Sequence, residues 1–189
     1  MKNIPKTENP LVLRTDFSDD SAWDSIRTAI EKPVGEFRAY VDFTSDPAYT
    51  NLTIADLLTL IPPDSNHTFI FVVDQKAISD PEHPILVIDL YEERGRSFRV
   101  IPSEMWGIEN NLSISNMDFV EFADSVESDG VFRGFGDHGH PVQMDNANIA
   151  SMLASVPVGQ PPKTLDIRQH IRYWITRIVL HRYRKRLQE

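Results

Sequence analysis

Short apolar runs and helical repeats alternate along the first half of the chain, and each pattern predicts one kind of element. β-Branched and aromatic residues cluster, or alternate with polar ones, in three runs that predict β-strands: 11–15, 36–43 and 68–74. Between these runs, apolar side chains recur every three or four residues in two segments that predict helices: 21–32 and 53–61. Ser18 or Asp19 is placed to cap the first helix.

Two further strands are predicted at 85–91 and 97–101, with a turn around Gly95 between them. Only ten residues separate the first of these strands from the one before it. A parallel crossover generally needs a dozen residues or more, so we expect that pair to be antiparallel. Helical segments follow near 103–114 and 117–126. The order βαβαβββ, followed by helices, predicts an α/β fold with helices packed on a mixed β-sheet.

The character of the sequence changes after Phe135. Residues 136–163 are rich in Gly, Pro, Ser and Asn and predict a connector. Residues 164–189 predict a C-terminal amphipathic basic helix, which makes the chain an acidic α/β domain (1–135) with two appended parts. The apolar stripe of this helix and the arginines that border it are the predicted partner-binding residues: Ile167, Ile171, Trp174, Ile178, Arg168 and Arg172.

The net charge of −9 divides unevenly along the chain. Residues 163–189 hold eight Lys and Arg against two Asp and Glu, a net charge of +6, so the remaining residues carry −15. Such a basic helix can dock on its own body, pair with another copy, lie on an anionic membrane or bind nucleic acid. We favour docking on protein, because the acidic body complements the helix and Trp174 suits a buried anchor.

Composition narrows the class of protein. A hydrophobic content of 41% suffices for a packed core. The absence of cysteine excludes disulfides, thiolate metal sites and cysteine nucleophiles. No apolar run approaches the length of a membrane-spanning helix, about 20 residues, and the first residues lack the apolar stretch of a secretory signal. We therefore expect a cytoplasmic protein.

Aspartates follow several of the predicted strands. Ligands of open α/β sheets favour the carboxyl ends of parallel strands, so we expect Asp16, Asp42 and Asp74 to lie near one another. Three carboxylates can hold Mg²⁺ or another divalent metal, as in a metal-assisted hydrolase or lyase. Asp89 would lie at the other end if its strand is antiparallel. The alternative is that these aspartates serve turns and helix caps, and no glycine-rich phosphate loop accompanies them.

Two further sets of polar residues are candidate binding sites. Strand alternation places Arg14 on one sheet face and Arg38 beside Asp42 on the neighbouring strand, which predicts either a solvated ion-pair lattice or a small anion site. The segment Asp-His-Gly-His at 137–140 can ligate Zn²⁺ or Ni²⁺, or it can be a solvated part of the connector. No cofactor is predicted.

The segment "PSEMWGIENN" combines a strand end with an unusual helix start. Ser103 is placed to cap a helix whose apolar face holds three residues at spacings of three and four: Met105, Ile108 and Leu112. We expect Trp106 and Met105 to seal the end of the sheet. Gly107 should weaken this helix by roughly 1 kcal/mol relative to alanine.

Several stretches resemble a family of small bacterial proteins described as a domain of unknown function. They are "NPLVLRTDFSDDSAW", "FRAYVDF", "HPILVIDLYEERGRSFRVIPSEMWGIENNLSISNMDF" and "GVFRGF", within residues 9–135. The resemblance implies no catalytic or binding residue. The segment from 136 onward lies outside it.

Three functions remain in view. The first is a non-catalytic protein-interaction module, immunity-like or regulatory, in which the C-terminal helix mediates assembly or partner docking. The second is an enzyme that uses the strand-end aspartates. The third is attachment to a membrane or to nucleic acid through the basic helix, which we expect to weaken steeply with salt.

Overall fold

Six strands form one mixed β-sheet in the order β2-β1-β3-β4-β5-β6 in this computed structural model, which describes residues 2–135. The predictions for 136–163, 137–140 and 164–189 therefore lie outside the described residues. The strands are β1 (Leu11–Arg14), β2 (Asp42–Thr44), β3 (Phe69–Val73), β4 (Ile85–Asp89), β5 (Ser97–Val100) and β6 (Val131–Phe132).

Five helices accompany the sheet in the described residues. They are α1 (Asp20–Glu31), α2 (Ile54–Leu60), α3 (Gln75–Ser79), α4 (Met105–Ser113) and α5 (Phe119–Ala123), with short 3-10 turns at Pro47–Tyr49 and Pro102–Glu104. Residues 2–113 and 117–134 belong to one compact unit, and the described residues of a second unit are 114–116 and 135. All elements named above belong to the first unit. No helix among the described residues has the length and apolar character needed to cross a membrane.

Strand direction confirms the predicted mixed sheet. β1 is parallel to both β2 and β3, and β5 is parallel to β6. β4 is antiparallel to both of its neighbours, as the short connection before it predicts. Five strands therefore run in one direction and β4 alone runs against them.

The second strand is shorter than predicted, and its position corrects the prediction at 36–43. Only Asp42–Thr44 pair with β1. The preceding backbone is instead bound by side chains of α4: Tyr40 donates its N–H to a Glu109 carboxylate oxygen at 3.0 Å, and the Asn110 amide donates to the Arg38 carbonyl at 3.2 Å. Because these bonds satisfy the backbone, the segment needs no strand neighbour there.

Two short elements lie where the pattern predicts none. Asp74 begins α3 as its N-cap, because the carboxylate accepts the Ala77 N–H at 3.1 Å. β6 lies in "GVFRGF" and adds two residues beside β5. Asp19 caps α1 as predicted, and Thr53 caps α2 in a reciprocal pair of bonds with Asp56.

Helices cover both faces of the sheet. On one face, Leu57 and Leu60 of α2 belong to a buried cluster with Leu11 and Leu13 of β1. On the other face, Trp23 of α1 meets a β2 phenylalanine edge-on. Burial of both faces removes enough apolar area to stabilise the fold, at about 25 cal/mol per Å². The second face ends in an aromatic group that joins α5 to β5 and β6: Phe98, Phe119, Phe122 and Phe132.

The first two residues of α4 differ in burial. Met105 is fully buried, as is Ile108 one turn later, which confirms the apolar face predicted for these two residues. Trp106 is partly buried, and its ring stacks on a residue of the 34–37 turn. Ser103 does not cap α4, because it lies inside the 3-10 turn that leads into the helix.

We expect opposite effects from alanine at two glycines. Gly95 has a φ of +96°, and an added Cβ would lie 3.1 Å from Leu58 Cδ1, so Gly95→Ala should destabilise the protein by about 1–2 kcal/mol. At Gly107 an added Cβ meets nothing within 4 Å, so Gly107→Ala should stabilise it by about 1 kcal/mol. Urea denaturation of the two variants measures both changes. If both variants were destabilised, or both stabilised, this account would be wrong.

Candidate functional site

The usual ligand position in such a sheet lies between β1 and β3. In open α/β sheets, ligands bind at the carboxyl ends of parallel strands where neighbouring connections leave in opposite directions. Here β1 leads through α1 to β2 on one side, and β3 leads to β4 on the other. Asp74 directly follows β3 and Asp16 lies two residues beyond β1, so the structure brings two of the three candidate metal ligands to the same end of the sheet.

Both carboxylates are bound within the protein. Asp74 forms two charge-assisted hydrogen bonds with Arg99, Oδ1–Nη1 at 3.0 Å and Oδ2–Nη2 at 2.6 Å, besides capping α3. Asp16 is 7% exposed and accepts hydrogen bonds from the N–H and the hydroxyl of Ser18. Both aspartates thus serve a turn or a helix cap.

Asp42, the third candidate ligand, lies at the opposite edge of the sheet. It begins β2 rather than ending it, and it pairs in register with the first residue of β1. Its carboxylate accepts from the backbone N–H of Asn9 at 2.9 Å and from the Asn9 amide at 3.3 Å. The expected grouping with Asp16 and Asp74 is therefore corrected. Within residues 2–135, no three His, Cys, Asp or Glu side chains are arranged to hold a metal ion.

Asp89 also lies at that opposite edge, as expected for an antiparallel β4, because it pairs with Phe69 at the start of β3. It is 3% exposed, and its carboxylate accepts the N–H groups of Tyr91 and Glu93 at 2.8 and 2.7 Å. These bonds fix the turn between β4 and β5. The buried charge therefore has a structural explanation.

The two candidate anion-binding arginines do not meet. Arg14 is 3% exposed, and its guanidinium binds the Asp16 and Asp19 carbonyls at 2.7 and 3.3 Å and the Asp20 carboxylate at 2.8 Å. Arg38 is exposed and lies outside any strand, and its guanidinium lies over the Tyr40 ring, 4.7 Å from the ring centroid. The expected lattice across the sheet is corrected, because Arg14 is enclosed by its own loop.

An apolar surface formed by α4 and the 34–37 turn remains partly exposed to solvent. We call Val34, Phe37, Trp106 and Gly107 the α4 patch. Val34 is 39% exposed and Phe37 is 44% exposed. The Phe37 ring stacks on Trp106 at 4.7 Å between centroids. Among residues 2–135, the other exposed large hydrophobic side chain is Tyr91.

Hydrogen bonds at two places hold the α4 patch in position. Val34 and Phe37 close a tight turn by exchanging backbone hydrogen bonds at 2.8 and 3.2 Å. Tyr40 lies just beyond the turn and donates its N–H to Glu109 of α4. Glu109 is 4% exposed, so a buried side chain anchors this part of the chain. Burial raises the pKa of Glu109, an effect that the bonds from Tyr40 and the Ser113 hydroxyl partly offset. The stack of the exposed Phe37 on the partly buried Trp106 is thus supported by a buried carboxylate.

Two details set Trp106 and Gly107 apart within the α4 patch. The Trp106 indole N–H is buried and has no acceptor among the described residues. Gly107 leaves open space where any other residue would carry a Cβ. Sequence reasoning missed Phe37, because it assigned residues 36–43 to a strand. The available signal was Pro33 and Gly35, since residues of this kind before an aromatic residue indicate a turn.

We expect the stability of the protein to depend on Glu109 as a function of pH. A carboxyl whose pKa is higher in the folded state holds its proton more tightly there, so its protonation favours folding. That contribution is present near the unfolded value of about 4.3 and is lost as pH rises through the folded pKa. Glu109→Gln should therefore gain stability relative to wild type as pH rises.

Urea denaturation at several pH values measures this change, because the midpoint reports stability at each pH. Glu31→Gln, which removes an exposed carboxylate from α1, corrects for the change in net charge. Parallel pH profiles for wild type and Glu109→Gln would refute the assignment.

Comparison with known proteins agrees with the sequence resemblance. Among curated proteins, none matches this chain. A family model described as "Domain of unknown function (DUF6924)" matches residues 9–135, which contain every strand and helix described above. That range is more than half of the chain. The chain therefore belongs to the DUF6924 family of domains of unknown function.

Proposed function

We propose that the chain is a non-catalytic protein-interaction module, regulatory or immunity-like, that assembles through its C-terminal segment. The observation that carries the proposal is the α4 patch, in which the exposed Phe37 ring stacks on the partly buried Trp106 and a buried carboxylate holds the chain nearby. The carboxylates that were candidates for catalysis support it indirectly. Asp16, Asp42 and Asp74 each bind groups of their own domain, which accounts for them without a reaction.

The occupant that we propose for the α4 patch is the segment 164–189 of a second copy of the chain. Its apolar residues, Trp174 among them, match the aromatic character of Phe37 and Trp106. Aromatic pairs contribute about 0.5–1.5 kcal/mol beyond the area that they bury, and Trp is enriched among residues that dominate binding. Gly107 permits close approach of a second backbone.

Charge complementarity supports the same occupant. Residues 1–135 carry 24 Asp and Glu against 11 Lys and Arg, a net charge of −13, whereas residues 163–189 carry +6. Opposite net charges attract and orient the two parts before contact, and salt screens this attraction over about 10 Å at 0.1 M. Docking by a basic apolar segment should therefore weaken as salt is added.

We expect Phe37→Ala in the full chain to expose the C-terminal segment to trypsin. Trypsin cleaves after Lys and Arg, and 163–189 contains eight of them. The initial cleavage rate in this segment should rise several-fold in Phe37→Ala, and it should rise likewise in wild type at high salt. Mass spectrometry of the early fragments locates the cleavage.

Tyr91→Ala is the matched control, because it removes another exposed aromatic ring from the same domain. It should leave the cleavage rate at the wild-type value. Circular dichroism and urea midpoints check that both variants are folded. If wild type is cut in 163–189 as fast as Phe37→Ala, the α4 patch does not hold this segment and the proposed function is wrong.

A further inference from the structure

We infer that the surface beneath residues 2–8 is a second protein-binding site, which takes a partner segment with an apolar residue between two basic ones. Residues 2–8, which we call the strap, occupy this site in the structure, so the strap and a partner compete for it. The residues that bind the strap form the strap site: Asp46, Tyr49, Leu60, Asp64 and Asn66. It shares no residue with the α4 patch, and the inference goes beyond the function proposed above.

One buried side chain anchors the strap. Ile4 is 1% exposed and belongs to the buried apolar cluster that also contains Tyr49 and Leu60. Lys2 and Lys6, two residues before it and two after it, are exposed. The strap thus contributes one apolar side chain to the cluster, as a bound peptide places an anchor residue in a pocket.

Acidic residues bind the lysines on both sides of this anchor. Lys2 Nζ lies 2.7 Å from a carboxylate oxygen of Asp46, and Lys6 pairs with Asp64. Both lysines are exposed, so salt screens these pairs and each contributes little to holding the strap. The two carboxylates therefore favour a basic segment in the strap site and still allow it to leave.

The strap backbone is bound as the backbone of a peptide ligand would be. The Tyr49 hydroxyl donates to the Asn3 carbonyl at 2.8 Å, and the Asn66 amide donates to the Thr7 carbonyl at 3.1 Å. The Ile4 N–H donates to the carbonyl of the last residue of α2 at 2.9 Å. The strap itself contains no helix or strand. Bonds to main-chain groups give a peptide affinity, and pockets for alternate side chains give it specificity.

The strap site lies in the domain shared with the family, whereas the strap does not. Every residue of the strap site falls within 9–135, and the strap precedes that range. Part of the apolar cluster of the shared domain is therefore closed by a segment from outside it. Another segment with the pattern basic–x–apolar–x–basic can make the same contacts.

Peptide binding to full-chain variants tests the inference. In Ile4→Asp a charge replaces the buried anchor, so the strap should leave the strap site, whose own residues stay native. The probe is a fluorescent synthetic peptide with the strap sequence, KNIPKTE. In fluorescence anisotropy it should bind Ile4→Asp at least about tenfold more tightly than wild type, in which the tethered strap competes.

Three controls identify the contacts that bind the peptide. Tyr91→Asp adds the same charge at an exposed position and should bind the peptide as weakly as wild type does. The peptide KNDPKTE, which lacks the apolar anchor, should not bind Ile4→Asp. Adding Asp64→Lys to Ile4→Asp should weaken binding of KNIPKTE several-fold, because the second lysine of the peptide then meets a like charge.

Hydrogen exchange on wild type decides the question even if Ile4→Asp fails to fold. The Ile4 amide should exchange at least about tenfold faster than the amides of β3, because the strap opens without unfolding of the sheet. Equal exchange rates would make the strap an integral part of the core and overturn the inference. Absence of peptide binding to folded Ile4→Asp overturns it as well. If light scattering shows a wild-type dimer that the peptide separates, the strap of a second copy is the occupant, and the inference of a separate partner is wrong.

Discussion

The buried guanidinium of Arg14 is the interaction on which the carboxyl edge of the sheet depends. β1 is enclosed on both faces, so the charge at its end has no water to solvate it. Its donors bind two carbonyls and one carboxylate of residues 16–20, and its planar group lies over Phe17, 4.5 Å from the ring centroid. The loop must take this one conformation to satisfy the charge. That conformation also positions Asp19, the residue that caps the start of α1.

The strands whose pairing could be predicted from the sequence are those that are consecutive in the chain and adjacent in the sheet. β3, β4 and β5 have dense apolar runs separated by short connections, and the length of one connection sufficed to predict its direction. β2 could not be placed, because alternating apolar and polar residues are compatible both with a strand and with backbone bound by helix side chains. Glu109 and Asn110, which decide between the two, lie about 70 residues away.

The candidate site also depends on a contact between residues far apart in the sequence, which the sequence alone does not reveal. The charge division of the chain and the unusual character of "MWG" are visible in the sequence alone. The partnership of Trp106 with Phe37 is not, because it joins two segments that share no periodicity. The aspartates illustrate the reverse case. Their position after strands suggested ligands, whereas turn and cap geometry uses the same residue type at the same places.

The shortness of the two outer strands has a consequence for how the protein meets other chains. β2 has three residues and β6 has two, so each border of the sheet offers few unpaired backbone groups. An incoming strand would gain little by adding itself to either border, which protects the domain from edge-to-edge aggregation. The same property closes one common route of peptide recognition. A partner that docks on the described residues must therefore rely mainly on contacts with side chains.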